Sequence, residues 1–88
     1  MEKIYTIVGV FEDIGEPTRI KLVGSYRSLE SAVKALDNHI RGIFGKIVPE
    51  DELDEFISSK YGADYSWFYD DDNGLITMFQ IDRTTLND

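Results

Sequence analysis

The stretch Ser28–Tyr61, SLESAVKALDNHIRGIFGKIVPEDELDEFISSKY, decides the fold. Ser28 has the hydroxyl of an N-cap, able to accept from an orphan backbone N–H. Leu29, Ala32, Val33, Leu36, Ile40, Ile43 and Phe44 then recur at helical spacing. This predicts the longest helix of the chain. Glu30 precedes Lys34 and Asp37 precedes Arg41 at i,i+4, the favourable order, while Gly42 and Gly45 predict fraying or a bend in the last turn. Pro49 stands where a first helical residue belongs. Glu50, Asp51 and Glu52 complement the positive end of the helix dipole, and Lys60 and Gly62 mark the other end. A second helix is expected over Pro49–Tyr61.

Outward from this block, periodicity switches from helical to alternating on both sides. Lys3–Asp13 places Ile4, Thr6, Val8 and Val10 on one face and Tyr5, Ile7, Gly9 and Phe11 on the other. After the turn residues Ile14–Thr18, Arg19–Tyr26 alternates again, with Ile20, Leu22, Gly24 and Tyr26 opposed to Lys21, Val23 and Ser25. Beyond the helices, Asp64–Tyr69 reads as a strand with Tyr65, Trp67 and Tyr69 on one side. The turn Asp70–Gly74 has an Asn-Gly pair suited to positive φ, and Leu75–Asp82 returns. The expected fold is α+β, order ββααββ: a four-stranded, mainly antiparallel sheet with two helices packed on one face. Residues 1–88 form one domain in this reading, with 83–88 a loose tail.

Composition narrows the function. The 88 residues carry 17 acids, 9 bases and one histidine, a net charge of −8, and 42% are hydrophobic, enough for one modest core. There is no cysteine, so disulfides, thiolate metal sites and Cys nucleophiles are excluded. Neither a signal peptide nor a membrane span is read from the apolar runs, and a cytoplasmic setting is expected. A charge of −8 repels phosphate backbones and anionic lipid, so direct nucleic-acid or membrane binding is not expected.

The charge is segregated. Residues 14–48 sum to +3, whereas residues 49–72 hold nine acids against Lys60 alone and sum to −8. A helical wheel sets Leu53, Phe56 and Ile57 against Asp51, Asp54 and Glu55, so these carboxylates point outward at spacings of about 5–6 Å. With Glu50 and the hairpin-tip acids Asp70, Asp71 and Asp72, they are candidates for a phosphate-like array presented to a basic groove. A solvated helix face is the plainer alternative. The second signal is aromatic: Tyr61, Tyr65, Trp67, Phe68 and Tyr69 fall within nine positions. Phe56, Phe68 and Phe79 are expected in the core. Because two helices cover one sheet face, the other is expected to bear some of Tyr5, Tyr26, Tyr65, Trp67 and Tyr69, with Trp67 and Tyr69 anchoring a partner or a second copy.

Catalytic and metal constellations are not evident. Aligning Gly74 with the sixth position of an EF-hand loop puts Tyr69 at the first position and Gln80 at the twelfth, where carboxylates belong. His39 sits at the edge of its helix's apolar face and has no histidine partner. No Gly-x-Ser-x-Gly elbow or phosphate loop occurs. The chain is expected not to be an enzyme and to need no cofactor or metal.

Small size, one domain and localised acid resemble the small acidic proteins by which phages disable host defences, anti-CRISPR proteins and other DNA mimics among them. The resemblance is one of type and carries no motif. It implies an inhibitor in the host cytoplasm whose partner is the basic surface of a nucleic-acid enzyme or CRISPR effector. A cytosolic regulatory module, homodimeric through an aromatic sheet face, is the alternative.

Overall fold

Residues 2–86 are described by the computed structural model, of a four-stranded antiparallel sheet in the order β2-β1-β4-β3 with both helices on one face. The strands are β1 (Glu2–Glu12), β2 (Arg19–Tyr26), β3 (Ser66–Asp70) and β4 (Ile76–Leu86); the helices are α1 (Leu29–Phe44) and α2 (Glu50–Ser58). The order ββααββ and the α+β class are those expected. The central ladder joins β1 to β4 from Glu2 opposite Leu86 to Glu12 opposite Ile76. Arg83–Leu86 is therefore strand and not a loose tail, because the long β1 offers it partners. Asn87 and Asp88 lie outside the described residues.

The helices are built as their caps dictate. Ser28 Oγ accepts from the Ser31 amide at 3.1 Å, and α1 continues through Gly42 to Phe44 before Gly45 closes it. The α2 helix stops at Ser58, three residues short of the expected Tyr61. Ser58 and Ser59 hydroxyls donate back to the Glu55 and Phe56 carbonyls, and Tyr61 enters a bridge with Trp67. The strand expected from Asp64 begins at Ser66, since Asp64 and Tyr65 both adopt φ 57° in a short 3-10 turn.

Ile7, Ala32, Leu36, Ile40, Phe44, Leu53, Ile57, Trp67, Phe79 and Ile81 form the buried core. The helix-covered face carries Tyr5, Ile7, Phe11, Trp67, Tyr69 and Phe79, so it is the aromatic face. This reverses the expectation that an uncovered face holds the tyrosines and Trp67. Uncovered instead are Val8, Val10, Ile76, Met78, Phe68, Ile20 and Leu22, whose cross-strand pairing places them on the other side. Ile20, Leu22 and Phe68 are 75%, 65% and 49% exposed. Phe68 thus stands outside the core in which it was expected.

A β-bulge between the Ile7–Gly24 and Val8–Leu22 pairs explains β2. The extra residue, Val23, shifts the alternation by one. Gly24 and Tyr26 share the covered side with Ile7 and Tyr5, whereas Ile20 and Leu22 share the open side with Val10 and Val8. Four residues expected on one face are split between two.

Gly9 is set by packing. A Cβ there would lie 2.9 Å from Phe79 Cε1 and 3.1 Å from Phe11 Cε2, where the two rings meet edge-on at 5.7 Å. Gly9→Ala is expected to destabilise the domain by about 1–3 kcal/mol, read as a lowered urea midpoint with unchanged slope. His39 packs edge-on against Phe79 at 5.5 Å, and burial, then the nearby Lys21 charge, lowers its pKa from 6.5. The folded chain therefore binds fewer protons than the unfolded one as pH falls below that value, and stability is lost through the window between 6.5 and the lower folded pKa. Urea midpoints of wild type and His39→Gln are expected to run parallel above this window and to converge or cross below it.

Candidate functional site

The acidic surface is built on α2. Leu53 and Ile57 are buried and Phe56 half-buried, so the remaining sides of this nine-residue helix face solvent. Glu50, Asp51, Glu52, Asp54 and Glu55 are all exposed. Glu52 joins the candidates as a residue the wheel argument left out.

Two contacts hold α2 in place against the sheet. Phe56 meets Phe44, Tyr69 and Trp67 at ring separations of 5.3, 5.3 and 6.2 Å. The Trp67 indole N–H donates to the Ile57 carbonyl at 2.9 Å. That carbonyl lies in the last turn and also accepts from the Lys60 amide at 3.2 Å. Lys60 Nζ sits 4.6 Å above the Phe56 ring and 5.7 Å above that of Tyr69, closing the aromatic layer from outside.

The aromatic anchors proposed from sequence are therefore corrected. Trp67 is 1% exposed, fixed on the covered face by its hydrogen bond, and offers no partner-binding area. Tyr69 is half-buried on the same face, its ring 5.1 Å from Phe44. The exposed apolar residues that sequence reasoning missed are Ile20, Leu22 and Phe68. Parity separates Phe68 from Trp67 in the sequence, but only the β2 bulge brings Ile20 and Leu22 beside it.

The acids are not equivalent. Arg41 bridges the helices: its Nε donates to Asp37 at 2.6 Å and its Nη2 to Asp54 at 2.5 Å. The hydrogen bonds to Asp37 and then Asp54 raise the guanidinium pKa, and among the described residues Asp54 is the one α2 carboxylate paired with a cation. At the hairpin, Asp71 Oδ1 accepts from the amides of Asn73 at 2.8 Å and Leu75 at 3.0 Å, and Asp70 Oδ1 from that of Asp72 at 3.0 Å. Asp71 is thus spent on its own loop. Positive φ falls on Asp72 and Gly74 and not on Asn73. Among the described residues Glu50, Asp51, Glu52, Glu55 and Asp72 remain as carboxylates with no side-chain hydrogen bond or ion pair.

Among the described residues no group of three His, Asp or Glu is placed to hold a metal ion, and no helix is long and apolar enough to cross a membrane. The chain matches no family model, no curated protein and no solved structure.

The division of labour at the hairpin has a direct check. Asp71→Ala is expected to cost about 1–3 kcal/mol by orphaning two amides, whereas Asp72→Asn, which removes the charge and tolerates the positive φ, stays within about 0.5 kcal/mol. Paired thermal melts measure the difference.

Proposed function

We propose that the chain is a small non-enzymatic binding protein that inhibits a partner by covering its basic, nucleic-acid-binding surface with the carboxylates of α2. One observation carries this reading: Glu50, Asp51, Glu52 and Glu55 are all exposed and unpaired on a helix fixed by Phe56 and Trp67. Such an array meets a basic groove with little ordering of its backbone. Long-range attraction would speed association and weaken with salt. A nucleic-acid enzyme or CRISPR effector in the cytoplasm of a phage-infected host has the required surface, as the type resemblance implies.

A second reading has an observation of its own. The open sheet face exposes Ile20, Leu22 and Phe68, which suits a regulatory module paired with a second copy. Four strands about 4.8 Å apart and averaging about nine residues of about 3.4 Å give a flat footprint of roughly 590 Å². This falls short of the ~800 Å² per partner of a stable interface. Two copies also bring together two charges of −8. Size and charge therefore rank the basic partner first.

A tagged-chain pulldown at low and high salt, with retained proteins identified by mass, tests both. Capture of a nucleic-acid enzyme, displaced by added DNA and weakened at least ~10-fold by Glu50→Lys, Asp51→Lys and Glu55→Lys together, is expected. Retention of a partner indifferent to those changes would overturn mimicry. Sedimentation showing a dimer abolished by Leu22→Thr, with no salt-sensitive partner, would install the second reading.

A further inference from the structure

Between β2 and α1 lies a cavity of about 590 Å³, lined by Phe11, Arg19, Ile20, Lys21, His39 and Ile43. Its volume is that of small-molecule sites, and its composition fits their pattern of apolar walls with a few convergent polar groups. The cations are placed by register: Arg19 lies opposite Phe11 and Lys21 opposite Gly9, so both project to the helix-covered side of the sheet's edge strand.

Three features set this cavity apart. Among the described residues Arg19 and Lys21 form no ion pair, although acids outnumber bases 17 to 9 in the chain. They stand two residues apart on one face, where like charges repel. His39 Nε2, in the same wall, is buried without a hydrogen-bond partner. Phe11 and Ile43 supply apolar surface beside them. A bound anion would relieve the repulsion between Arg19 and Lys21, and an attached hydrocarbon would cover Phe11 and Ile43.

We infer that this cavity is a binding site for a small apolar carboxylate, its head group between Arg19 and Lys21 and its tail against Phe11 and Ile43. The site shares no residue with the acidic surface of α2 and stands whether or not that surface binds a partner. Either a free aliphatic acid or the C-terminal residue of a peptide has this chemistry.

Titration of the isotope-labelled full chain, followed by amide and imidazole NMR signals, tests the site with four probes. Octanoate represents a free acid and N-acetyl-Phe-Leu a peptide terminus; octanol supplies the tail without charge and inorganic phosphate the charge without tail. Saturable shifts at Lys21, His39 and Ile43 are expected with octanoate or the dipeptide, and the tighter of the two identifies the source. Octanol and phosphate should bind at least ~10-fold more weakly, and Arg19→Gln with Lys21→Gln should weaken the carboxylate by a similar factor with signals elsewhere unmoved. Arg19→Glu with Lys21→Glu, carrying opposite charge, should abolish it. Equal binding of octanol, indifference to the cation changes, or shifts confined to Ile20, Leu22 and Phe68 on the open face would overturn the assignment.

Discussion

The hydrogen bond from the Trp67 indole to the Ile57 carbonyl is the constraint on which the acidic half of the molecule depends. A buried indole N–H must find an acceptor, and a helix's last carbonyls lack intrahelical partners. The Ile57 carbonyl also accepts from the Lys60 amide at 3.2 Å, so the indole takes its second lone pair and ties the end of α2 to β3. The α2 helix has nine residues, below the ~12–15 at which isolated helices become even marginal in water. Its acids repel one another as well, by a few tenths of a kcal/mol per i,i+4 pair. Packing of Leu53, Phe56 and Ile57 must therefore outweigh both costs, and the direction of the carboxylates follows from the aromatic layer beneath.

Much of this was legible in the sequence. The spacing of Leu29, Ala32, Leu36 and Ile40 names the buried side of α1, and alternation sorts Ile4 to Phe11 of β1 correctly by face. What alternation does not convey is which face the helices take. Both faces of the outer strands read as apolar, so Trp67 was taken for an exposed anchor and Phe68 for core, and the reverse holds. Nor does local pattern mark the Val23 bulge, because Ile20, Leu22, Gly24 and Tyr26 form an unbroken alternating row. The end of β4 was misread for a related reason. Arg83–Leu86 has no strong local signal of its own and is strand because β1 lies beside it.

At the candidate site the same division appears. Exposure of Asp51, Asp54 and Glu55 follows from the wheel, since it depends only on the rotation of one helix. The pairing of Asp54 does not, because it needs Arg41 from α1 to reach across. Asp71 is intermediate: an Asp two residues before an Asn invites an Asx turn, yet it was counted among the displayed acids. The cavity flanked by Arg19, Lys21 and His39 was not legible at all. It exists only when the bulged β2 and α1 are docked together, and His39 then acquires Lys21 as a neighbour at nearly twenty positions' remove.

Segregated charge survives folding because the sheet keeps its ends apart. The helix α2 packs over β3 through Phe56, Trp67 and Tyr69, while Arg19 and Lys21 lie on β2 at the opposite edge. Three inter-strand steps of about 4.8 Å separate those edges by about 14 Å. The Debye length at physiological ionic strength is about 8 Å. Exposed carboxylates on α2 are thus largely screened from the β2 cations, and each edge can present its own sign to a different ligand. At ~0.01 M salt the screening length grows to about 30 Å and the two edges sense each other. Dilute buffer would then weaken an anion's hold on Arg19 and Lys21 through repulsion from α2, even as it strengthens attraction of α2 to a basic partner.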